Sequence, residues 1–111
     1  MNELLKQALL YDFYGELLTD HQKEIYEQFV LEDLSLSEIA EAQRISRQGV
    51  HDLVKRCNKI LEGYEAKLHL VEKFLSVKGK VQQINELLET EQQNERLQHA
   101  RQIAGEILEE L

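Results

Sequence analysis

SLSEIAEAQRISRQGVHDLVKRCNKIL, residues 35–61, predicts a helix-turn-helix running into a long helix. Ser35 with Glu38 three residues later is a capping-box pattern, and Ile39 and Ala40 supply the inward face of a short first helix. Ser46 offers a second N-cap, and Val50, Leu53, Val54 and Cys57 repeat behind it at helical spacing. Two short capped helices a few residues apart are what a tight interhelical corner requires. Between the apolar positions, Arg47, Gln48, His51 and Lys55 face outward and are placed to reach a groove; Arg44, Arg56 and Lys59 extend the same candidate nucleic-acid-binding set.

The chain on either side is helical in character. Among 111 residues there is no proline and there are five glycines, a composition that favours helices and leaves few strand signals. Upstream, Asn2 is the expected N-cap of a helix reaching Leu18, and Thr19 caps a second one over Asp20–Glu32. Leu18 and Leu34 are expected in one small core.

Downstream, Val50, Val54, Cys57, Leu61, Tyr64, Leu68, Val71 and Leu75 are spaced alternately by four and three. This heptad seam predicts one helix read through Gly63, about 39 Å long over residues 50–75. A break is expected at Ser76–Lys80 with Gly79 as its C-cap. Another helix is expected from Val81, then a polar stretch over Glu89–Glu95, read as either a solvated helix or a frayed connection, and a final amphipathic stripe from Leu97 to Leu111. The chain is thus divided into a helix-turn-helix domain with a long recognition and dimer helix, 1–75, and a helical extension, 76–111. Leu61, Leu68, Val71, Leu75, Leu97 and Ile107 are the candidate contacts of a homodimer; a chain of this length buries only about two-thirds of its unfolded surface and gains from a partner subunit.

The formal net charge of −8 argues against a simple nucleic-acid binder, but the charge is unevenly spread. Residues 1–43 hold two Lys/Arg against ten Asp/Glu, residues 44–80 hold nine against four, and residues 81–111 hold two against seven. The basic segment coincides with the recognition helix and its continuation, where phosphate contacts would supply non-specific affinity. Acidic flanks repel the same backbone, so that affinity is expected to be modest and salt-sensitive.

Other chemistries find little support. The single cysteine, Cys57, sits on the apolar seam as a packing residue and excludes a disulfide framework. His21, His51, His69 and His99 are scattered, so no metal is expected. Glycine-rich phosphate loops are absent, and no cofactor is expected. No apolar run approaches a membrane span and the N-terminus lacks a signal-peptide layout, which predicts a cytoplasmic, non-enzymatic protein acting by binding.

Leu18–Leu61 resembles region 4 of bacterial sigma factors, on LTDHQKEIYEQF and SLSEIAEAQRISRQGVHDLVKR. A longer stretch, about Leu9–Phe74, resembles the YlxM-like (UPF0122-type) helix-turn-helix family of Gram-positive bacteria. Its specific parts are Tyr11-Asp12-Phe13-Tyr14, the Leu-Ser-Leu-Ser-Glu-Ile-Ala run and Leu61-Glu62-Gly63-Tyr64-Glu65-Ala66-Lys67-Leu68. The resemblance implies an all-α helix-turn-helix protein, a regulatory role and an association with the signal recognition particle pathway. The sequence departs from the sigma pattern at Arg44, where glycine is preferred, at Gln43, where a core leucine is common, and at Gly49 and Asp52 on the recognition helix. A DNA-binding regulator is the leading reading. The alternatives are a protein- or RNA-binding accessory of the signal recognition particle and secretion machinery, and a coiled-coil adaptor with the corner as scaffold.

Overall fold

The computed structural model describes residues 2–89 and 95–111, and every regular element among them is helical. Four helices precede residue 69: α1 (Glu3–Tyr14), α2 (Asp20–Val30), α3 (Leu36–Gln43) and α4 (Arg47–Leu68). Each begins where a short polar side chain satisfies an orphan N–H of the first turn. Asn2 accepts from Leu5 N at 2.8 Å, Thr19 from Gln22 N, Ser35 from Glu38 N and Ser46 from Gly49 N. Gln22 and Glu38 reciprocate by accepting from the N–H of Thr19 and Ser35, closing two capping boxes. The first helix is shorter than the apolar spacing predicted: after Tyr14 the chain tightens into a 3-10 turn over Gly15–Leu17 before Thr19 starts α2. Gly15 suits that turn because a Cβ there would lie 2.7 Å from the Tyr11 ring.

The chain forms two compact units, Met1–Val71 and Glu72–Leu111. In the first, α4 packs on α1, α2 and α3, and its residues Val50, Val54, Cys57 and Leu61 are buried with Leu10, Tyr14, Leu18, Ile25, Tyr26 and Ile39. Two buried tyrosines keep their hydroxyls paired: Tyr26 donates to Asn58 Oδ1, and Tyr14 donates to Glu65 Oε1 at 2.6 Å. Cys57 is fully buried, and burial pushes its thiol up to about 11, so it packs as a small apolar side chain.

The long seam helix does not form as one piece. α4 passes through Gly63 as expected but ends at Leu68, where His69 turns left-handed (φ 56°, ψ 28°), and α5 (Leu70–Glu89) begins immediately. The break is held from a distance: Leu70 N donates to the Tyr14 hydroxyl at 3.1 Å, and Val71 N donates to Glu65 Oε1 at 2.9 Å. Two first-turn N–H groups of α5 are therefore capped by residues from α1 and α4. The expected break at Ser76–Lys80 is absent, because Phe74, Val77, Val81, Ile84 and Leu88 keep helical spacing through Gly79, which is an interior helical residue. The boundary expected after residue 75 consequently falls inside α5.

In the second unit, α5 and α6 (Glu95–Glu110) bury Val81 and Ala104, and Arg101 Nη2 donates to Glu89 Oε1 at 3.5 Å. Val77, Ile84, Leu87 and Ile103 are exposed. Of the expected polar stretch over Glu89–Glu95, residues 90–94 lie outside the described residues.

Candidate nucleic-acid interface

The corner is built by α3, the three residues Arg44–Ser46, and α4. Arg44 has φ 57° and ψ 41°, the left-handed backbone for which glycine is preferred. Its N–H and that of Ile45 both bond to Ala40 O, the latter at 3.1 Å, closing the C-terminal turn of α3 in Schellman fashion. Gln43, at the position where a core leucine is common in the sigma pattern, is half-buried and donates from Nε2 to Gln28 Oε1 at 3.3 Å. A polar bond to α2 thus replaces an apolar contact.

Ser46 then starts α4, and Gly49 has a local reason to be glycine: a Cβ there would stand 3.0 Å from Ser46 Oγ, the oxygen that caps its own N–H. This was not legible from spacing alone, which marks Gly49 only as a missing long side chain. The first turn of α4 carries no acidic residue and opens with Arg47, so cation and helix N-terminus reinforce one another.

Arg44, Arg47, Gln48, His51, Lys55, Arg56 and Lys59 are all exposed, and those on α4 lie away from its buried Val50–Val54–Cys57–Leu61 side. Among the described residues none of the five cations makes an ion pair within 4.0 Å. Asp52 lies among them. Gln48 Nε2 donates to its Oδ1 at 3.0 Å, and His51 Nδ1 approaches the same oxygen at 3.5 Å. The Gln48 bond, followed by that of His51, holds the Asp52 carboxyl below its ordinary value and keeps it ionised at neutral pH. His51 and Lys55 also border a hollow of about 250 Å³ whose lining includes Gln7, Phe29 and Leu36.

The candidate dimer contacts are not equivalent. Leu61 is fully buried and Val71 is 6% exposed, so both are spent inside the chain and neither offers surface to a second copy. Leu68 and Ile107 are exposed at 47% and 38%, while Leu75 and Leu97 are half-buried. No helix among the described residues is long and apolar enough to cross a membrane.

Residues 1–101 match the model of the family UPF0122, described as "Putative helix-turn-helix protein, YlxM / p13 like". A UPF0122 protein of Thermoanaerobacter sp. (strain X514) is 44% identical over 110 residues, covering 99% of this chain and 94% of its own. One of Caldanaerobacter subterraneus subsp. tengcongensis is 51% identical over 87 residues, covering 78% and 74%. One of Desulforamulus reducens is 42% identical over 112 residues, covering 98% and 96%. The similarity runs past the Leu9–Phe74 stretch and takes in α5.

Proposed function

The chain belongs to the UPF0122 family of YlxM / p13-like helix-turn-helix proteins, and on that premise we propose that it is a regulator that binds duplex DNA through the outward face of α4. The observation that carries this is the set of five exposed cations without ion-pair partners among the described residues, Arg44, Arg47, Lys55, Arg56 and Lys59, presented from a capped corner and the helix N-terminus behind it. In this docking geometry the first residues of the second helix reach base edges while the first helix crosses the backbone. Arg47 and Gln48 occupy the leading turn, and Lys55, Arg56 and Lys59 follow as phosphate contacts.

DNA binding measured across a salt series tests it, with the native chain beside an Arg47→Ala, Lys55→Ala variant. Each phosphate contact contributes a slope of about −0.9 in log affinity against log salt, so the variant, which loses the Lys55 phosphate contact and the Arg47 base contact, should bind more weakly and with a slope shallower by about one. Absence of binding by the native chain at low salt would sink the proposal.

A second reading is favoured by the −8 formal charge of residues 1–43. That acidic part suits the protein-binding form of the alternative, an accessory of the signal recognition particle machinery that docks on a basic protein surface. Retention of particle components with RNA intact, unchanged by the double substitution, would select it over DNA binding. Under either reading the chain acts as a homodimer through Leu68, Leu75, Leu97 and Ile107, the expected contacts that retain surface. Sedimentation equilibrium giving a monomer at tens of micromolar, on the order of a typical working concentration, would remove the dimer.

A further inference from the structure

Between Glu41 and Glu62 the chain has one carboxylate, Asp52, set among Arg44, Arg47, Lys55, Arg56 and Lys59. On a face that served only to hold phosphates, an acidic residue is a liability, since it repels the backbone its neighbours attract. Asp52 is nevertheless organised. Gln48 and His51, one turn and one residue before it, both approach Oδ1, and among the described residues Oδ2 accepts no bond. The side chain is 61% exposed. What the helix presents there is an oriented acceptor beside the Gln48 amide, whose own rotamer is tied down by the bond it donates.

An ionised carboxylate accepts and cannot donate, and the major-groove edges of the bases answer it differently. Guanine shows two acceptors, N7 and O6. Thymine shows the O4 acceptor and a methyl group. Adenine places the N7 acceptor beside its N6 donor. Cytosine alone shows a donor, N4, and no acceptor on its own major-groove edge. We infer that Asp52 is a specificity-determining residue of the α4 face: it accepts a hydrogen bond from the N4 amine of a cytosine in the major groove and disfavours bases that present an acceptor. This inference rests on the proposed DNA-binding reading and adds to it the base that the face selects. Its corollary is that Asp52 weakens non-cognate binding, because away from a cytosine its charge meets phosphate or base acceptors with nothing to offset the repulsion.

The experiment is selection from a random duplex DNA pool and from a random RNA pool. It uses the native chain, Asp52→Asn, Asp52→Ala and the Arg47→Ala, Lys55→Ala variant, with affinities then measured on the enriched duplex and on single-base changes of it. The native chain should enrich duplexes with a fixed cytosine, and replacing that cytosine should weaken binding about 5- to 150-fold, the range for one good base contact. Both Asp52 variants should lose most of that discrimination while binding unrelated duplex DNA more tightly than the native chain does. Asp52→Ala, in an exposed helical position with a strong helix former, keeps the test open if the asparagine creates a new base contact of its own. Enriched sites without a fixed cytosine, unchanged discrimination in both Asp52 variants, or enrichment from the RNA pool alone would each overturn the inference. If the native chain binds DNA without base preference and the Arg47→Ala, Lys55→Ala variant loses that binding, this inference falls while the DNA-binding reading stands. If the native chain binds no DNA, the failure lies in the DNA-binding reading and takes this inference with it.

Discussion

Helices α3 and α4 end in the same way and for different reasons. Each stops at a non-glycine residue in left-handed backbone, Arg44 at φ 57° and His69 at φ 56°. After Arg44 the next helix is announced locally: Ser46 stands one residue before α4 and caps it. After His69 the next helix starts at once, and two of its first N–H groups are taken by the Tyr14 hydroxyl and the Glu65 carboxylate. Tyr14 lies 56 residues away in sequence from Leu70. Capping from the residue before a helix leaves a sequence signature, whereas capping from a distant helix leaves none. The heptad spacing of Val50 to Leu75 runs in register across His69 and gives no warning of the break.

The largest effect is expected at the distant cap. Tyr14→Phe keeps the buried ring and its stack on Tyr64, with centroids 6.0 Å apart, but removes both the donor to Glu65 and the acceptor of Leu70 N. Glu65 Oε1 keeps its bond from Val71 N, so the cost is that of the Leu70 N–H left without a partner, about 1–3 kcal/mol. Chemical denaturation of the variant should read that loss. A value indistinguishable from zero would mean that the break is not held by this hydroxyl. A smaller loss, about 0.5–2 kcal/mol, is expected for Ser46→Ala, since one neutral cap is removed at an exposed site where water replaces part of it. If Ser46→Ala proved the costlier of the two, the ranking of local and distant caps would be reversed.

The same contrast explains how far the sequence could be read. Asn2, Thr19, Ser35 and Ser46 mark the starts of α1 to α4 because each is a short polar residue whose partner lies three positions on. The exposed face of α4 follows from its apolar spacing, so Arg47, Gln48, His51, Lys55, Arg56 and Lys59 could be placed on it before any coordinates. What spacing does not distinguish is the partner of an apolar stripe. Leu61 belongs to a seam that fits a second helix of another copy equally well, yet it is filled from within by the chain's own core. The 3-10 turn at Gly15–Leu17 and the crowding of Gly49 against Ser46 Oγ depend on close approaches that periodicity does not encode. The linkage of Gln48, His51 and Asp52 is a fourth case: the spacing allows it, and the rotamers decide it.

The smallest effect separates the left-handed residues at these two helix ends, Arg44 and His69. A non-glycine residue in this backbone costs about 1–2 kcal/mol, while a glycine loses roughly 0.4–1 kcal/mol more conformational freedom on folding. Arg44→Gly should therefore raise stability by between about zero and 1.6 kcal/mol, because among the described residues the exposed side chain makes no hydrogen bond or ion pair that glycine would lose. His69→Gly relieves the same backbone strain but removes an imidazole that lies within 4.8 Å of the Glu65 carboxylate, so it should gain less. Thermal unfolding of the two single variants checks the order. An equal gain at both positions would show that backbone conformation alone sets the cost of each break; a gain at position 69 larger than at 44 would place the greater strain at the end of α4, where the sequence gives no sign of it.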